Sequence, residues 1–97
     1  KSRILFTGDI GAAVFGENDE TLFVEDFEAH IPFIKGFHMR YMASNKIVHR
    51  WADTVRRLNP AMLAPQHGAV YKNENVGKFL DWIANLQCGV DFLDALF

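Results

Sequence analysis

The sequence Leu-Phe-Thr-Gly-Asp at residues 5–9, together with Ala-Pro-Gln-His-Gly at residues 64–68, carries most of the information about the architecture. Each stretch is a short apolar run that leads into a residue able to bind a metal, Asp9 or His67, with a glycine directly beside it. In open α/β sheets, ligand sites gather at the carboxyl ends of the strands. Asp9 and His67 can therefore converge if their two strands are neighbours in one sheet.

The segments around these stretches predict two strands and a loop. Residues 4–7 form a continuous apolar run, which is typical of a strand buried on both faces. The segment 9–16 is punctuated by glycine and carries no polar side chain after its aspartate, so we expect a tight apolar loop. Residues 61–64 predict a second short buried strand, which Pro65 halts.

Three helices are expected between and after the strands. Pro32 suits the first turn of a helix that extends through residue 42. A second helix has an apolar stripe with a 3.6-residue period over residues 47–58, and the Asn-Pro pair at 59–60 ends it. A third helix is capped by Asn73 and ended by Gly89. Strands that alternate with helices indicate the α/β class.

Composition excludes several classes of protein. The 97 residues allow one domain or a piece of one, and 49% hydrophobic residues with three prolines exclude a disordered chain. A net charge of −2 and the lack of an apolar run of about 20 residues predict that the chain binds neither nucleic acid nor membrane. A single cysteine, Cys88, excludes an internal disulfide and fits a cytoplasmic location.

Asp9 and His67 are the candidate metal ligands. A carboxylate and an imidazole suit iron, manganese or zinc, and one carboxylate can bridge two metals about 3.5–4 Å apart. The alternative is that both are ordinary loop residues, since two ligands do not complete a site of four or more. For the other histidines, His30, His38 and His49, we expect surface or hydrogen-bonded core positions, with support of a metal-binding side chain as the alternative.

The two motifs, in this order and at this separation, resemble the last two metal-ligand motifs of the metallo-β-lactamase fold. Within that superfamily, the motif at 64–68 and the small apolar residues after Asp9 are most similar to the oxygen-binding di-iron, or flavodiiron, branch. The resemblance extends over most of residues 3–87. It implies that residues 1–97 are the C-terminal half of a single metallo-β-lactamase-like αββα domain.

The resemblance also implies roles for the two residues: Asp9 bridges two metals and His67 ligates one of them. In the family, the other ligands come from an upstream His-x-Glu-x-Asp motif and a further histidine, but only eight residues precede Asp9. We therefore expect a fragment whose N-terminal half carries that motif. The alternatives are a separate chain that supplies the first half, or an incomplete site.

The identity of the metal separates the functional hypotheses. Two irons would bind or reduce dioxygen or nitric oxide, in catalysis or sensing, with electrons from a flavin on a separate domain or partner. Two zincs would hydrolyse an ester or thioester. The apolar loop at residues 10–15 favours a gas ligand. In a third hypothesis the chain is a non-catalytic module whose acidic segment, residues 17–28, docks a partner. A homodimer is an open alternative.

Overall fold

The computed structural model describes residues 3–15 and 21–93, which form a mixed α/β structure. In chain order the elements are β1 (Ile4–Gly8), α1 (Phe27–Tyr41), α2 (Asn45–Leu58), β2 (Met62–Pro65), β3 (Tyr71–Lys72), α3 (Glu74–Ala84) and a short 3-10 helix (Gly89–Phe92). Among residues 3–15 and 21–93, none of the helices has the length and hydropathy of a transmembrane span.

The three strands form one sheet in the order β1-β2-β3. β1 and β2 are parallel neighbours, with Leu5 opposite Leu63 and Gly8 opposite Pro65. β3, which the sequence did not predict, runs antiparallel to β2 and places Tyr71 opposite Leu63. Because β1 and β2 are parallel, their carboxyl ends lie at the same edge of the sheet. The prediction that these two strands are neighbours is confirmed.

One hydrophobic core lies between the sheet and the helices. Ile34 from α1, Val48 and Val55 from α2, Leu63 from β2 and Phe79 from α3 are all at most 2% exposed. One face of α3 is buried, with Val76, Phe79, Leu80 and Ile83 at most 7% exposed. This face recurs at the 3.6-residue period of a helix that packs on one side.

β1 is not buried on both faces within the described residues. Phe6 is 79% exposed and Ile4 is 39% exposed, whereas Leu5 between them packs against the core. The expectation was wrong for this chain because successive side chains of a strand point to opposite faces, and only the Leu5 face meets the helices. A face with Ile4 and Phe6 is left without cover.

The first helix begins earlier than Pro32 predicts. α1 starts at Phe27 because the Asp26 side chain caps it, accepting a hydrogen bond from the backbone N–H of Ala29. Pro32 lies inside the helix, near its beginning. Two acids of the acidic segment therefore cap or begin a helix, Asp26 and Glu28, while residues 17–20 lie outside the described part.

The third helix ends earlier than Gly89 predicts. α3 ends at Ala84, and Gly89 begins the short 3-10 helix instead. Asn73 precedes α3 with φ at 56°, but its side chain makes no capping hydrogen bond. The second helix ends as predicted, with Asn59 in the left-handed conformation directly before Pro60.

Candidate metal centre

Asp9 and His67 lie in the loops that leave the carboxyl ends of β1 and β2. Asp9 directly follows β1, and His67 comes two residues after the end of β2. Gly8 and Pro65, at the two strand ends, are paired in the sheet. Both candidate side chains are exposed. The parallel pairing thus brings the two loops to one edge of the sheet with both donors open to it.

Backbone hydrogen bonds hold these loops against each other. The N–H of Gln66 donates to the carbonyl of Gly8 at 2.5 Å, and the N–H of Ala13 donates to the carbonyl of His67 at 3.3 Å. The approach is close: a Cβ added at Gly68 would lie 2.6 Å from the Ala13 nitrogen. Gly68 also has φ at +107°, which L side chains rarely adopt. A glycine beside His67 is therefore a requirement of the packing.

The predicted apolar loop after Asp9 is compact over its described residues, 9–15. The carbonyl of Asp9 accepts a hydrogen bond from the N–H of Ala12 at 3.0 Å. The hydroxyl of Thr7 donates to the carbonyl of Ile10 at 2.6 Å. Gly11, Ala12 and Ala13 are buried. Asp9 is therefore held at the start of an ordered turn, with apolar residues directly behind it.

Two buried side chains from distant elements contact this loop at Gly11. The N–H of Gly11 donates to Nε2 of His38 at 2.8 Å, and the carbonyl of Gly11 accepts from the Tyr71 hydroxyl at 2.9 Å. Nδ1 of His38 is 2.7 Å from the carbonyl of Ile34. Burial lowers the pKa of His38, while the hydrogen bond with the Ile34 carbonyl acts in the opposite direction. Burial raises the pKa of Tyr71.

His49 occupies a surface position, as expected. His30 lies in the core, but its buried Nε2 has no hydrogen-bond partner among the described residues, so the expectation of a hydrogen-bonded core histidine is wrong for this nitrogen. His30 is 6% exposed, its ring packs edge-on against Tyr71, and burial lowers its pKa. His49 is exposed, with Nδ1 3.0 Å from the carbonyl of Ala84 and Nε2 3.5 Å from the Asp53 carboxylate. His49 lies on α2, outside the two loops, whereas the ring of His30 contacts Phe15 of the loop that follows Asp9, with 5.8 Å between the ring centroids.

Cys88 is a packed core residue rather than an exposed thiol. It is fully buried and free. Burial, and to a smaller extent the nearby Asp91 carboxylate, raises the pKa of the thiol. A raised pKa keeps the sulfur protonated and poorly nucleophilic.

The described residues do not complete a metal site by themselves. Within residues 3–15 and 21–93, no group of three or more His, Cys, Asp or Glu side chains is arranged to hold a metal ion. The chain offers one carboxylate and one imidazole at a shared, open edge, a donor set that fits iron or zinc. Further ligands would have to come from elsewhere.

Sequence and structure comparisons place the chain among known proteins. Residues 1–68 match the family described as "ODP family beta lactamase". The chain belongs to this ODP family. Two solved structures resemble it closely: one is described as the peroxy diiron species of the chemotaxis sensor ODP, the other as the apo state of that sensor from T. denticola. No curated protein matches the chain.

Both ODP structures are 66% identical to the chain and superpose with a TM-score of 0.91 over 99% of its length. The metallo-β-lactamase-like fold expected from the two motifs is therefore confirmed. The chain spans only about 40% of the length of those solved chains.

The sequence predicts Asp9 and His67 as candidate ligands, offers support of a metal-binding side chain only as the alternative role of His38, and assigns no role to Tyr71. The sequence places His38 on a helix, where a histidine is usually a core or surface residue. Tyr71 comes four residues after His67, yet its contact with Gly11 joins positions 60 apart in sequence. Only the three-dimensional packing brings these groups together.

Proposed function

We propose that this chain is part of a non-haem di-iron protein that binds dioxygen. The observation that carries the proposal is the 66% identity to an ODP structure described as a peroxy diiron species, over 99% of the chain. Asp9 and His67 at adjoining strand ends support it, because they are the donor types that iron accepts. When bound, two irons would supply reversible redox chemistry towards a diatomic gas.

In this proposal Asp9 is the bridging carboxylate and His67 is a terminal ligand. The two oxygens of a carboxylate allow Asp9 to contact two metals, whereas the imidazole of His67 contacts one. The remaining ligands come from an N-terminal half that carries a His-x-Glu-x-Asp motif. This division agrees with the fact that the chain spans about 40% of the ODP chains it matches.

The residues behind Asp9 are suited to a small apolar ligand. Gly11, Ala12 and Ala13 are buried and offer no polar side chain that would orient an ester or a thioester. Apolar surroundings of this kind would suit dioxygen or nitric oxide better than a polar substrate. In this proposal the chain contributes two ligands and the apolar loop that directly follows Asp9.

We favour sensing over reduction, since the related structures are described as a chemotaxis sensor. Reduction would need electrons from a flavin on a separate domain or partner, and would make the protein an oxidoreductase of the flavodiiron kind. Turnover of dioxygen with a reduced flavin donor separates the two roles: a sensor consumes about one equivalent, a reductase many.

A cytoplasmic location is proposed on the single buried cysteine.

Metal analysis of variants of the complete protein tests the site. We expect about two irons per chain in the wild type and less than half of that in Asp9→Ala and His67→Ala, because each substitution removes a ligand. His49→Ala and Asp53→Ala are the matched controls, since this exposed His–Asp pair lies on α2, outside the two loops. Both controls should keep wild-type iron.

Two outcomes would contradict the proposal. Full iron content in Asp9→Ala would show that the carboxylate is not a ligand. Two zincs in the protein purified from iron-replete cells, together with thioester hydrolysis, would favour the hydrolase alternative.

A further inference from the structure

His38 and Tyr71 bind the backbone N–H and the backbone carbonyl of the same residue, Gly11. Gly11 donates its N–H to Nε2 of His38 and accepts the Tyr71 hydroxyl on its carbonyl, at 2.8 and 2.9 Å. Both side chains are fully buried. One comes from α1 and the other from β3, so two separate elements hold the same loop residue. We refer to His38, Gly11 and Tyr71 as the Gly11 clamp.

The hydrogen bonds of the clamp determine which ring nitrogen of His38 carries the proton. Because a backbone N–H only donates, Nε2 of His38 must accept, and the ring proton must then lie on Nδ1, where it meets the Ile34 carbonyl. The neutral imidazole in this one tautomer satisfies both ring nitrogens. Gly11 is itself constrained: its φ is +96°, and an added Cβ would lie 3.0 Å from the Tyr71 ring.

The clamp lies two residues beyond Asp9, in the same turn. The carbonyl of Asp9 accepts from Ala12, on the far side of Gly11, so fixing Gly11 fixes the backbone that carries the carboxylate. Tyr71 also belongs to β3, which pairs with β2 at Leu63 and follows the His67 loop. Through Tyr71, the position of the Asp9 turn is tied to the strand that leads to His67.

We propose that His38 and Tyr71 are positioning residues for the metal centre, which hold the Asp9 turn through Gly11 in register with the His67 loop. The inference rests on the proposed role of Asp9 in iron binding. Neither side chain touches the metal in this proposal. A carboxylate that must bridge two metals has little tolerance for displacement, and partners that orient ligands typically change metal affinity 10- to 100-fold.

Ferrous iron affinity, measured anaerobically on the complete protein by competition with a chelator, tests the clamp. Tyr71→Phe keeps the ring and removes only the hydroxyl; His38→Phe keeps a ring and removes the acceptor. We expect each to weaken iron affinity by about 10-fold. His38→Gln should restore most of the affinity, because its side-chain oxygen can accept from Gly11. Tyr71→Phe tests the inference even if His38→Phe fails to fold.

Two further measurements separate positioning from general destabilisation. Val55→Ala, a core substitution on α2 away from the clamp, should lower the melting temperature but leave iron affinity within about twofold. Hydrogen exchange of the metal-free protein should quicken over residues 9–15 in Tyr71→Phe and His38→Phe, and not in Val55→Ala.

The possible results are distinct for the two proposals. Wild-type affinity in both Tyr71→Phe and His38→Phe, with iron lost in Asp9→Ala, would overturn the clamp and leave the proposed function intact. The same loss of affinity in Val55→Ala as in the clamp variants would also overturn it. Wild-type affinity in Asp9→Ala would overturn the proposed function and the inference with it.

Discussion

The hydrogen bond between His38 and Gly11 is sensitive to acid, because Nε2 of His38 can accept it only while that nitrogen is unprotonated. Protonation would place a hydrogen on Nε2, facing the N–H of Gly11 that now donates to it. The ring is enclosed by the aromatic rings of Phe79 and Trp82 from α3 and of Phe37 from its own helix. Burial among these rings lowers its pKa, so the neutral form is favoured in the folded state.

The sign of the pH effect follows from that direction. The unfolded chain, with a histidine pKa of about 6.5, binds a proton that the folded state resists, so stability is complete above about pH 6.5 and falls as the pH drops through the lower pKa of the folded state. We expect the free energy of unfolding of wild type to decrease more between about pH 7.5 and about pH 5 than that of His38→Gln. Urea titrations at a series of pH values measure both. His30 is also buried, and burial lowers its pKa, so wild type and His38→Gln should both keep the part of the pH dependence that His30 causes. Equal slopes would show that His38 does not carry the effect.

Residue-level chemistry was predictable from the sequence only where it follows from position along a strand. Asp9 and His67 stand directly after apolar runs, and parallel pairing suffices to bring such residues to one edge. No local sequence pattern indicates the role of His38, because its partner Gly11 is 27 residues away in the loop after β1. Its role depends on how α1 packs, which no local pattern encodes.

At the level of elements, the close contact between the Asp9 loop and the His67 loop depends on Gly68, which no other residue can replace without strain. An added Cβ at Gly68 would lie 2.6 Å from the Ala13 nitrogen and 3.0 Å from its Cβ, with the backbone already at φ +107°. We expect Gly68→Ala to destabilise the protein by about 1–3 kcal/mol and to lower iron affinity, because the His67 loop must move away from the Asp9 loop. Chemical denaturation and chelator competition measure the two effects.

Gly36→Ala is the matched control for that substitution. Gly36 lies in α1, and a Cβ added there meets nothing within 4 Å. Alanine favours a helix over glycine, so this variant should be more stable by up to about 1 kcal/mol, with unchanged iron affinity. A neutral Gly68→Ala would mean that the two loops are not in close contact.

The boundaries of the helices were harder to predict than their existence. Pro32 predicts the start of the first helix, but the helix begins earlier because the Asp26 side chain satisfies a free N–H of the first turn. Gly89 was a plausible end for α3, yet the helix stops five residues earlier at Ala84. The predicted burial of β1 on both faces is not met within the described residues, because cover for the Phe6 face depends on neighbours that the local sequence does not specify.

The uncovered face of β1 bears on the whole molecule. Phe6 is 79% exposed in this chain, on a strand at the edge of the sheet, while the chain spans about 40% of the ODP structures that it matches. We expect this large aromatic side chain, three residues before Asp9 in the sequence, to be covered by the proposed N-terminal half of the domain. The same contact would bring the remaining ligands to the edge where Asp9 and His67 lie.

Truncation of Phe6 in the complete protein tests this cover. Removing a buried phenylalanine costs about 3–5 kcal/mol, whereas an exposed side chain costs little, so we expect Phe6→Ala to reduce the free energy of unfolding by about 3 kcal/mol. Tyr41→Ala is the matched aromatic control: Tyr41 ends α1 and is 64% exposed, so its loss should cost less than about 1 kcal/mol. Urea denaturation of the metal-free complete protein compares the three. If Phe6→Ala is as mild as Tyr41→Ala, then the other half does not pack on β1, and its ligands would have to approach Asp9 and His67 from a different side of the sheet.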